Sequence, residues 1–164
     1  MKGSRLKPAF FIKKNNRFVK IFKNINILFI YLSKHQFIVI QYKYNEKTGI
    51  VETTVKGTVT INDFIEYISA LSKDKLLSKK VKILTDASNG KFFKNVNPED
   101  LYRVVEINNK SLAKSDFICD AFIISSSMET ALAQLYKEYS KADNYYFNIF
   151  STKEAALKWL NSFD

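Results

Sequence analysis

The sequence contains little of what metal sites and nucleotide-binding loops are usually built from. Its 164 residues include one cysteine, one histidine, four glycines and two prolines. The single Cys119 excludes a disulfide framework and a cysteine-based zinc cluster, and the single His35 excludes a metal site with two histidine ligands. Four scattered glycines cannot form the glycine-rich loops that cradle phosphates. We therefore expect no metal site and no bound cofactor.

Long hydrophobic runs are also missing, although the chain is rich in apolar residues. It has no apolar stretch of roughly 18 residues or more, which excludes an ordinary transmembrane helix. Apolar residues make up 46% of the chain and aromatic residues 15%, which is enough to bury a core. A chain of 164 residues is typical of one domain.

Acidic residues are missing from the first part of the chain. The sequence carries 26 basic and 16 acidic side chains, a net charge of +10, and its first carboxylate is Glu46. Nine of the basic residues lie in residues 1–34, which leaves 17 basic and 16 acidic residues in 35–164. The sequence therefore divides into a basic head, residues 1–38, and a nearly neutral body, residues 39–164.

The basic head has more than one interpretation. Residues 10–34 consist almost entirely of residue types encoded by A and T alone, which is typical of translated AT-rich upstream DNA or a disordered tail, with the natural start nearer Val39. Alternatively, Phe18, Ile21, Phe22 and Ile25 have helical spacing, so the head would form an amphipathic helix on anionic lipid or on the body. Its basic residues would then be the contacts: Lys13, Lys14, Arg17, Lys20 and Lys23. Nucleic-acid binding is not favoured, because no recognisable binding module accompanies these residues.

The body alternates short apolar runs with amphipathic stretches. Phe37–Tyr44 and Ile50–Gly57, separated by a five-residue turn, predict an antiparallel hairpin. Residues 87–97, which contain Asn89 and Gly90, are expected to form a polar loop. Three later apolar runs predict further strands: Val81–Asp86, Cys119–Ser125 and Tyr145–Phe150.

Capping residues mark the starts of four helices in the body. Each is followed by an acidic residue in the first turn and then by an apolar stripe at helical spacing. The predicted caps are Thr60 (with Asn62 as the alternative), Asn97, Ser127 and Ser151. The third helix is expected to bury Ala131, Leu132, Leu135 and Tyr139.

The order of elements is therefore β-β-α-β-α-β-α-β-α. This alternation predicts an α/β fold with a two-layer or sandwich-like, mainly parallel sheet and an N-terminal antiparallel hairpin. The crossovers are long enough to be helices, as parallel strands require. An exposed edge strand in the hairpin would offer unpaired backbone groups, which favours a homodimer.

Several stretches of the body resemble the small bacterial SpoIIAA-like proteins, which belong with the STAS and CRAL-TRIO-like group. The resembling features are Gly49 in the opening turn, Gly57–Thr60 before the first helix, and the strand that ends at Asp86. The strand Ala121–Ser125 and the closing stretch Phe150–Leu160 also resemble this family. The resemblance covers about residues 40–163 and leaves out the head.

The resemblance implies a non-enzymatic, cytoplasmic regulatory or binding module that acts through a protein partner or a small ligand. The namesake relatives are anti-sigma-factor antagonists, switched by phosphorylation of a serine that follows a strand. Their Asp-Ser-x-Gly sequence is missing here, and residues 86–90 imitate it only loosely. Because CRAL-TRIO relatives bind lipids in an apolar pocket, the alternative is a lipid or membrane-surface module, peripheral on the inner face of the membrane and anchored by the basic head.

Two polar clusters follow neighbouring predicted strands. Asp86 and Ser88 follow one strand, and Ser125, Ser126 and Ser127 follow the next. In open α/β sheets, ligands bind outside the carboxyl ends of the strands, so these five residues are the candidate ligand- or partner-binding site. Ser88 is the candidate phosphoacceptor, and the three serines before a helix would suit an anion. No catalytic residues are predicted.

Both clusters also have a purely structural interpretation. Asp86 is expected to accept backbone N–H bonds from Ser88 and Asn89. Ser127 is expected to cap the helix that follows it.

Overall fold

The computed structural model describes residues 9–14, 17–22, 39–74, 77, 79–92, 97–140 and 142–163. In the head, β1 (Ala9–Lys14) pairs antiparallel with β2 (Arg17–Phe22) as a two-stranded sheet. The helix predicted from the spacing of Phe18, Ile21 and Phe22 is therefore wrong over residues 17–22. Lys13, Lys14, Arg17 and Lys20 lie in this hairpin, whereas Ile25 and Lys23 lie outside the described residues.

The body contains a five-stranded mixed sheet with the strand order β3-β4-β5-β6-β7. The strands are β3 (Val39–Asn45), β4 (Ile50–Val59), β5 (Lys80–Phe92), β6 (Phe117–Ile123) and β7 (Tyr145–Phe150). β3 and β4 form the antiparallel hairpin, and β4 to β7 run parallel to one another. This sheet confirms the predicted α/β fold with an N-terminal antiparallel hairpin.

Within the described residues, four helices alternate with these strands. They are α1 (Ile61–Leu71), α2 (Pro98–Leu112), α3 (Ser127–Tyr139) and α4 (Lys153–Asn161). The predicted start of α1 is confirmed as a capping box: Asp63 N donates to Thr60 Oγ1 at 3.3 Å, and Thr60 N donates to Asp63 Oδ2 at 2.8 Å. Asn97 caps α2 as predicted, and its Oδ1 accepts from Asp100 N at 2.7 Å.

Side-chain alternation along the strands divides the core into two layers. On β6, Ile118 and Phe122 pack in the larger core under α1, α2 and α3. Cys119, Ala121 and Ile123 point to the opposite face and pack with α4. Because both faces are covered, β6 is a nearly continuous apolar run, as expected for a parallel strand.

The polar loop predicted for residues 87–97 is wrong over its first part. β5 continues to Phe92, because Asn89 to Phe92 pair in parallel with Lys56 to Val59 of β4. The register shifts between Thr54 and Lys56, which leaves an extra β5 residue at a bulge. Asn89 and Gly90 thus lie in a strand, and a Cβ on Gly90 would come within 2.8 Å of the Val55 side chain.

Two predicted helix starts and one predicted helix face are also wrong. Ser126, not Ser127, caps α3, and Thr152, not Ser151, caps α4. Leu135 of α3 is 46% exposed, whereas its neighbour Tyr136 is buried. Burial of Tyr136 is favoured because its hydroxyl forms buried hydrogen bonds with Asn108 and Tyr145, which a leucine could not form.

Candidate functional site

A cavity of about 210 Å³ lies between the layer of α1, α2 and α3 and the sheet. It is larger than the ~150 Å³ cavity that is known to hold benzene. Aromatic side chains form a large part of its lining, together with aliphatic ones: Phe64, Tyr67, Phe92, Phe122, Tyr136, Tyr145 and Phe147. The described part of the chain thus places a sizeable apolar space against the parallel strands.

The carboxyl group of Asp120 faces this cavity from β6. Asp120 lies between the cavity-lining residues Ile118 and Phe122 on the same face of the strand and is only 8% exposed. The Tyr145 hydroxyl donates to Asp120 Oδ2 at 2.9 Å. The other oxygen, Oδ1, is buried and has no hydrogen-bond partner among the described residues. A buried carboxylate oxygen without a partner is unusual in a folded protein.

Burial also changes the acidity of this group. Desolvation raises the pKa of Asp120 from 3.8 to about 7, and the hydrogen bond from Tyr145 works in the opposite direction. The desolvation effect is larger, because the carboxyl is buried and receives only this one hydrogen bond among the described residues. Near neutral pH, small changes in the surroundings of Asp120 would therefore change its charge.

A chain of hydrogen bonds leads from α2 to Asp120. Asn108 Nδ2 donates to the Tyr136 hydroxyl, Tyr136 donates to the Tyr145 hydroxyl at 3.5 Å, and Tyr145 donates to the carboxyl. Burial raises the pKa values of Tyr136 and Tyr145, so both phenols keep their protons at neutral pH. Every donor in the chain therefore points towards Asp120.

Two further tyrosine hydroxyls, those of Tyr67 on α1 and Tyr42 on β3, form hydrogen bonds near α1. The hydroxyls of Tyr67 and Thr53 lie 2.9 Å apart in the buried core. The Tyr42 hydroxyl donates to Asp74 Oδ2 at 3.0 Å. Burial raises the pKa values of both phenols, and the negative charge of Asp74 adds to the increase at Tyr42.

The partly exposed residues of the lining mark where the cavity approaches solvent. Most of them follow α1 or α2 or precede β5 or β6, so the cavity reaches solvent at the amino-terminal edge of the parallel strands. Those near this edge are Ser72, Asp74, Leu77, Lys79, Ser111, Lys114 and Ser115, and the other partly exposed lining residues are Leu71, Leu132 and Ala133. Lys79 also forms an ion pair with Asp116 at 3.6 Å.

The candidate residues from the sequence lie at the opposite, carboxyl-terminal edge. The structure brings Asp86, Ser88 and Ser125 together: Ser88 N and Oγ donate to Asp86 Oδ1 at 3.1 and 2.6 Å, and Ser125 Oγ donates to the Ser88 carbonyl at 3.0 Å. Ser126 accepts from Glu129 N as the cap of α3, and Ser127 is the first residue of the helix. None of these five residues belongs to the described lining of the cavity.

These contacts match the structural interpretation of the cluster in part. Asp86 does accept the backbone N–H of Ser88, as expected. The other expected partner, Asn89, donates its side-chain amide to Ser88 Oγ at 3.4 Å instead. A ligand, partner or phosphoacceptor role for this cluster remains a prediction.

Sequence reasoning missed the residues that shape the cavity's polar side. Asp120 falls inside the predicted strand Cys119–Ser125, and no pattern in the sequence assigns a functional role to Tyr136, Tyr145 or Asn108. One signal was present: Asp120 is the only charged residue in the run Phe117–Ile124. A lone acid in a doubly covered strand must be buried, so it is a candidate site.

The chemistry open to this arrangement is limited. Asp120 can hold or release a proton and accept one more hydrogen bond through Oδ1. Among the described residues, no group of three or more His, Cys, Asp or Glu side chains could hold a metal ion. Cys119 is buried on the α4 face, and burial raises the pKa of its thiol to about 12, so it is not a reactive thiolate.

Comparison with known proteins supports the fold. The chain matches no family model and no curated protein sequence. It is similar to the crystal structure of an uncharacterized protein of the DUF3478 family, with a SpoIIAA-like fold, from Shewanella loihica PV-4: 17% identity, 79% of this chain and 98% of that chain covered, TM-score 0.52. This likeness shows that the chain has a SpoIIAA-like fold, which confirms the fold expected from the resemblance.

A second solved structure is more distant. It is a chain from the complex of the diguanylate cyclase SiaD with its activator SiaC from Pseudomonas aeruginosa: 7% identity, 74% of this chain and 99% of that chain covered, TM-score 0.40. In the part of the chain that the structure describes, no helix combines the length and apolar character needed to cross a membrane.

The raised pKa of Asp120 predicts a specific dependence of stability on pH. Between pH 3.8 and about 7 the folded protein binds a proton at Asp120 that the unfolded chain has released. The resulting stabilisation is complete below pH 4 and is lost as the pH rises towards 7, by as much as about 4 kcal/mol. Urea unfolding at pH 4.5, 6.0 and 7.5 measures it as the difference between the wild type and the Asp120→Asn variant.

The matched control is Asp116→Asn, an exposed aspartate four residues earlier, which should follow the wild-type curve. Wild-type and Asp120→Asn stabilities that stay parallel across this range would contradict the buried, proton-binding state of Asp120.

Proposed function

We propose that this chain is a non-enzymatic binding module whose cavity receives a small, largely apolar ligand with one polar group. The observation that carries the proposal is Asp120 Oδ1, a buried oxygen without a partner among the described residues, on a residue that lines an apolar cavity of about 210 Å³. An unsatisfied buried polar atom costs roughly 1–3 kcal/mol, more when it is charged. A ligand that hydrogen-bonds to Oδ1 would remove this cost.

The composition of the lining supports a small, mostly apolar ligand. Ligand sites are typically concave and apolar, with a few polar groups that fix orientation. Here Asp120 and Asn108 supply polar atoms from β6 and α2, while rings from α1, α3, β5, β6 and β7 supply the apolar walls. A cavity of this volume corresponds to a ligand of about eight non-hydrogen atoms, scaled from the size of benzene in its cavity.

A binding role fits this cavity better than catalysis. Asp120 could move a proton, but the described lining offers no activated nucleophile beside a base, and general acid–base catalysis usually needs a second group in reach.

Regulation of a protein partner in the bacterial cytoplasm is a further part of the proposal. Its support is the SpoIIAA-like fold and the absence of catalytic signatures from the sequence, and fold alone does not determine function.

Filling the cavity is expected to abolish ligand binding. Ala133 of α3 lines the cavity, so an Ala133→Phe variant would occupy it with its own ring. Ala131 lies two residues earlier on the same helix but is exposed, which makes Ala131→Phe the matched control. Saturation-transfer NMR with toluene and benzyl alcohol measures binding, and urea unfolding shows that each variant remains folded.

We expect both ligands to bind the wild type and Ala131→Phe, and neither to bind Ala133→Phe. Absence of binding to the wild type would remove the proposed function. Equal binding to the wild type and Ala133→Phe would place the ligand elsewhere on the chain.

A second candidate function is contact of the basic head with anionic lipid. The observation in its favour is the sequence of residues 1–34, with nine basic and no acidic side chains. Each basic residue near an anionic surface contributes about 1 kcal/mol, and salt weakens this attraction. We expect the full chain to float with vesicles that contain phosphatidylserine at low salt. A variant with glutamine at positions 13, 14, 17, 20 and 23 should not float.

Neutral phosphatidylcholine vesicles are the control. Equal flotation of the variant and the wild type, or binding that is insensitive to salt, would contradict an electrostatic anchor.

A second copy of the chain is the protein partner that the sheet edge favours. β3 pairs only with β4 in the five-stranded sheet of the described body, so its outer edge offers backbone N–H and C=O groups. Light scattering on the full chain is expected to give the mass of a dimer at micromolar concentration. A monomer mass of 19.0 kDa across the concentration range would contradict this proposal.

A further inference from the structure

We propose that the ligand class of the cavity is a small apolar primary amine, bound as a cation with its ammonium group on Asp120 Oδ1. This inference rests on the proposed function and adds the chemistry of the ligand's polar group. Three features of the described residues carry it: the direction of the buried hydrogen bonds, the missing partner of Oδ1, and the aromatic walls.

The direction of the hydrogen bonds favours a negatively charged carboxylate. Asn108, Tyr136 and Tyr145 each donate to the next member of the chain, and the last donor points at Asp120 Oδ2. A succession of aligned donors strengthens its final hydrogen bond and stabilises negative charge on the acceptor. A protonated Asp120 would instead need an acceptor for its own proton.

The missing partner of Oδ1 then calls for a donor on the ligand. Tyr136 and Tyr145 already use their hydroxyl protons in the chain, and the Tyr67 hydroxyl is engaged with Thr53. Asp120 Oδ1 is a buried acceptor without a partner among the described residues, and Asp120 lines the cavity. An ammonium group supplies both the donor and the compensating positive charge, whereas a ligand carboxylate would add a second negative charge.

The aromatic walls favour the same class. Cations are attracted to the faces of aromatic rings within about 6 Å of the ring centre, most strongly where water is excluded. Tyr145, Tyr136 and Phe147 form a contiguous ring cluster beside Asp120, with centroid separations of 5.3 to 6.5 Å. The rest of an apolar amine would pack against Phe64, Phe92 and Phe122 across the cavity.

The other charged groups near the cavity do not oppose a cation at Asp120. The titratable groups that interact with Asp120 are Tyr67 on α1, Tyr136 on α3, Tyr145 on β7 and Cys119 on β6, and burial raises the pKa of each. They are therefore neutral near pH 7. The remaining charged residues of the described lining are Asp74, Lys79, Lys114 and Glu129, two acidic and two basic.

Three ligands of nearly equal size separate the effect of the ligand's polar group on affinity from the effect of its shape. Benzylamine carries the cation, benzyl alcohol replaces it by a neutral donor, and toluene has no polar group. Isothermal titration calorimetry at pH 8.0 on the wild type is expected to show benzylamine binding at least about tenfold more tightly than benzyl alcohol, because charge-assisted hydrogen bonds are roughly twice as strong as neutral ones.

The Asp120→Asn variant is expected to bind benzylamine and benzyl alcohol with affinities within about threefold of each other. The matched control, Asp116→Asn, should retain the wild-type preference, because its carboxylate lies outside the cavity lining and pairs with Lys79.

A second measurement needs no variant. Wild-type affinity for benzylamine should fall at least about tenfold from pH 8.0 to pH 5.5, as Asp120 takes up a proton, while toluene affinity stays constant.

The outcomes distinguish this inference from the proposed function. If toluene and benzyl alcohol bind but benzylamine binds no more tightly, the amine assignment is overturned and the binding module stands. If none of the three binds, both are overturned. An amine preference that persists in Asp120→Asn, or that is unchanged at pH 5.5, would also overturn the assignment to Asp120.

Discussion

The hydrogen bond from Tyr145 to Asp120 is the contact on which the polar interior of this protein depends. It joins two neighbouring parallel strands, β6 and β7, through their side chains. It also ends the chain that begins at Asn108 on α2 and passes through Tyr136 on α3. A buried carboxylate without such donors would lower the free energy of unfolding. The positions of α2 and α3 over the sheet are therefore coupled to the charge of Asp120 on β6.

Features of the fold that depend on local signals could be predicted from the sequence, whereas features that depend on contacts between distant elements could not. The order of strands and helices could be predicted, because apolar periodicity and the caps Thr60 and Asn97 are local signals. Helix starts at Ser126 and Thr152 were displaced by one residue, since neighbouring hydroxyl side chains are equivalent as caps in sequence. The buried face of α3 could not be predicted, because Tyr136 is internal only through partners on other elements.

The candidate site was harder to predict than the fold for a related reason. In open α/β sheets ligands usually bind outside the carboxyl ends of the strands. The structure does bring Asp86, Ser88 and Ser125 together at that edge. Those side chains largely satisfy one another. The cavity instead reaches solvent at the opposite edge, near Lys79 and Lys114. The extension of β5 to Phe92 also depends on pairing with β4, which no local pattern in residues 87–92 reveals.

The position of β7 in the chain has a consequence for how the protein matures. Asp120 belongs to β6, but its hydrogen-bond donor, Tyr145, belongs to β7 and lies 25 residues later in the chain. In the described sheet β7 pairs only with β6, so until it docks the edge of β6 is open to water and the carboxylate is hydrated and ionised. Enclosing that charge therefore waits until β7 docks, and between pH 3.8 and about 7 it draws a proton from solution. Docking of β7 is then coupled to the pH of the solution in which the chain folds.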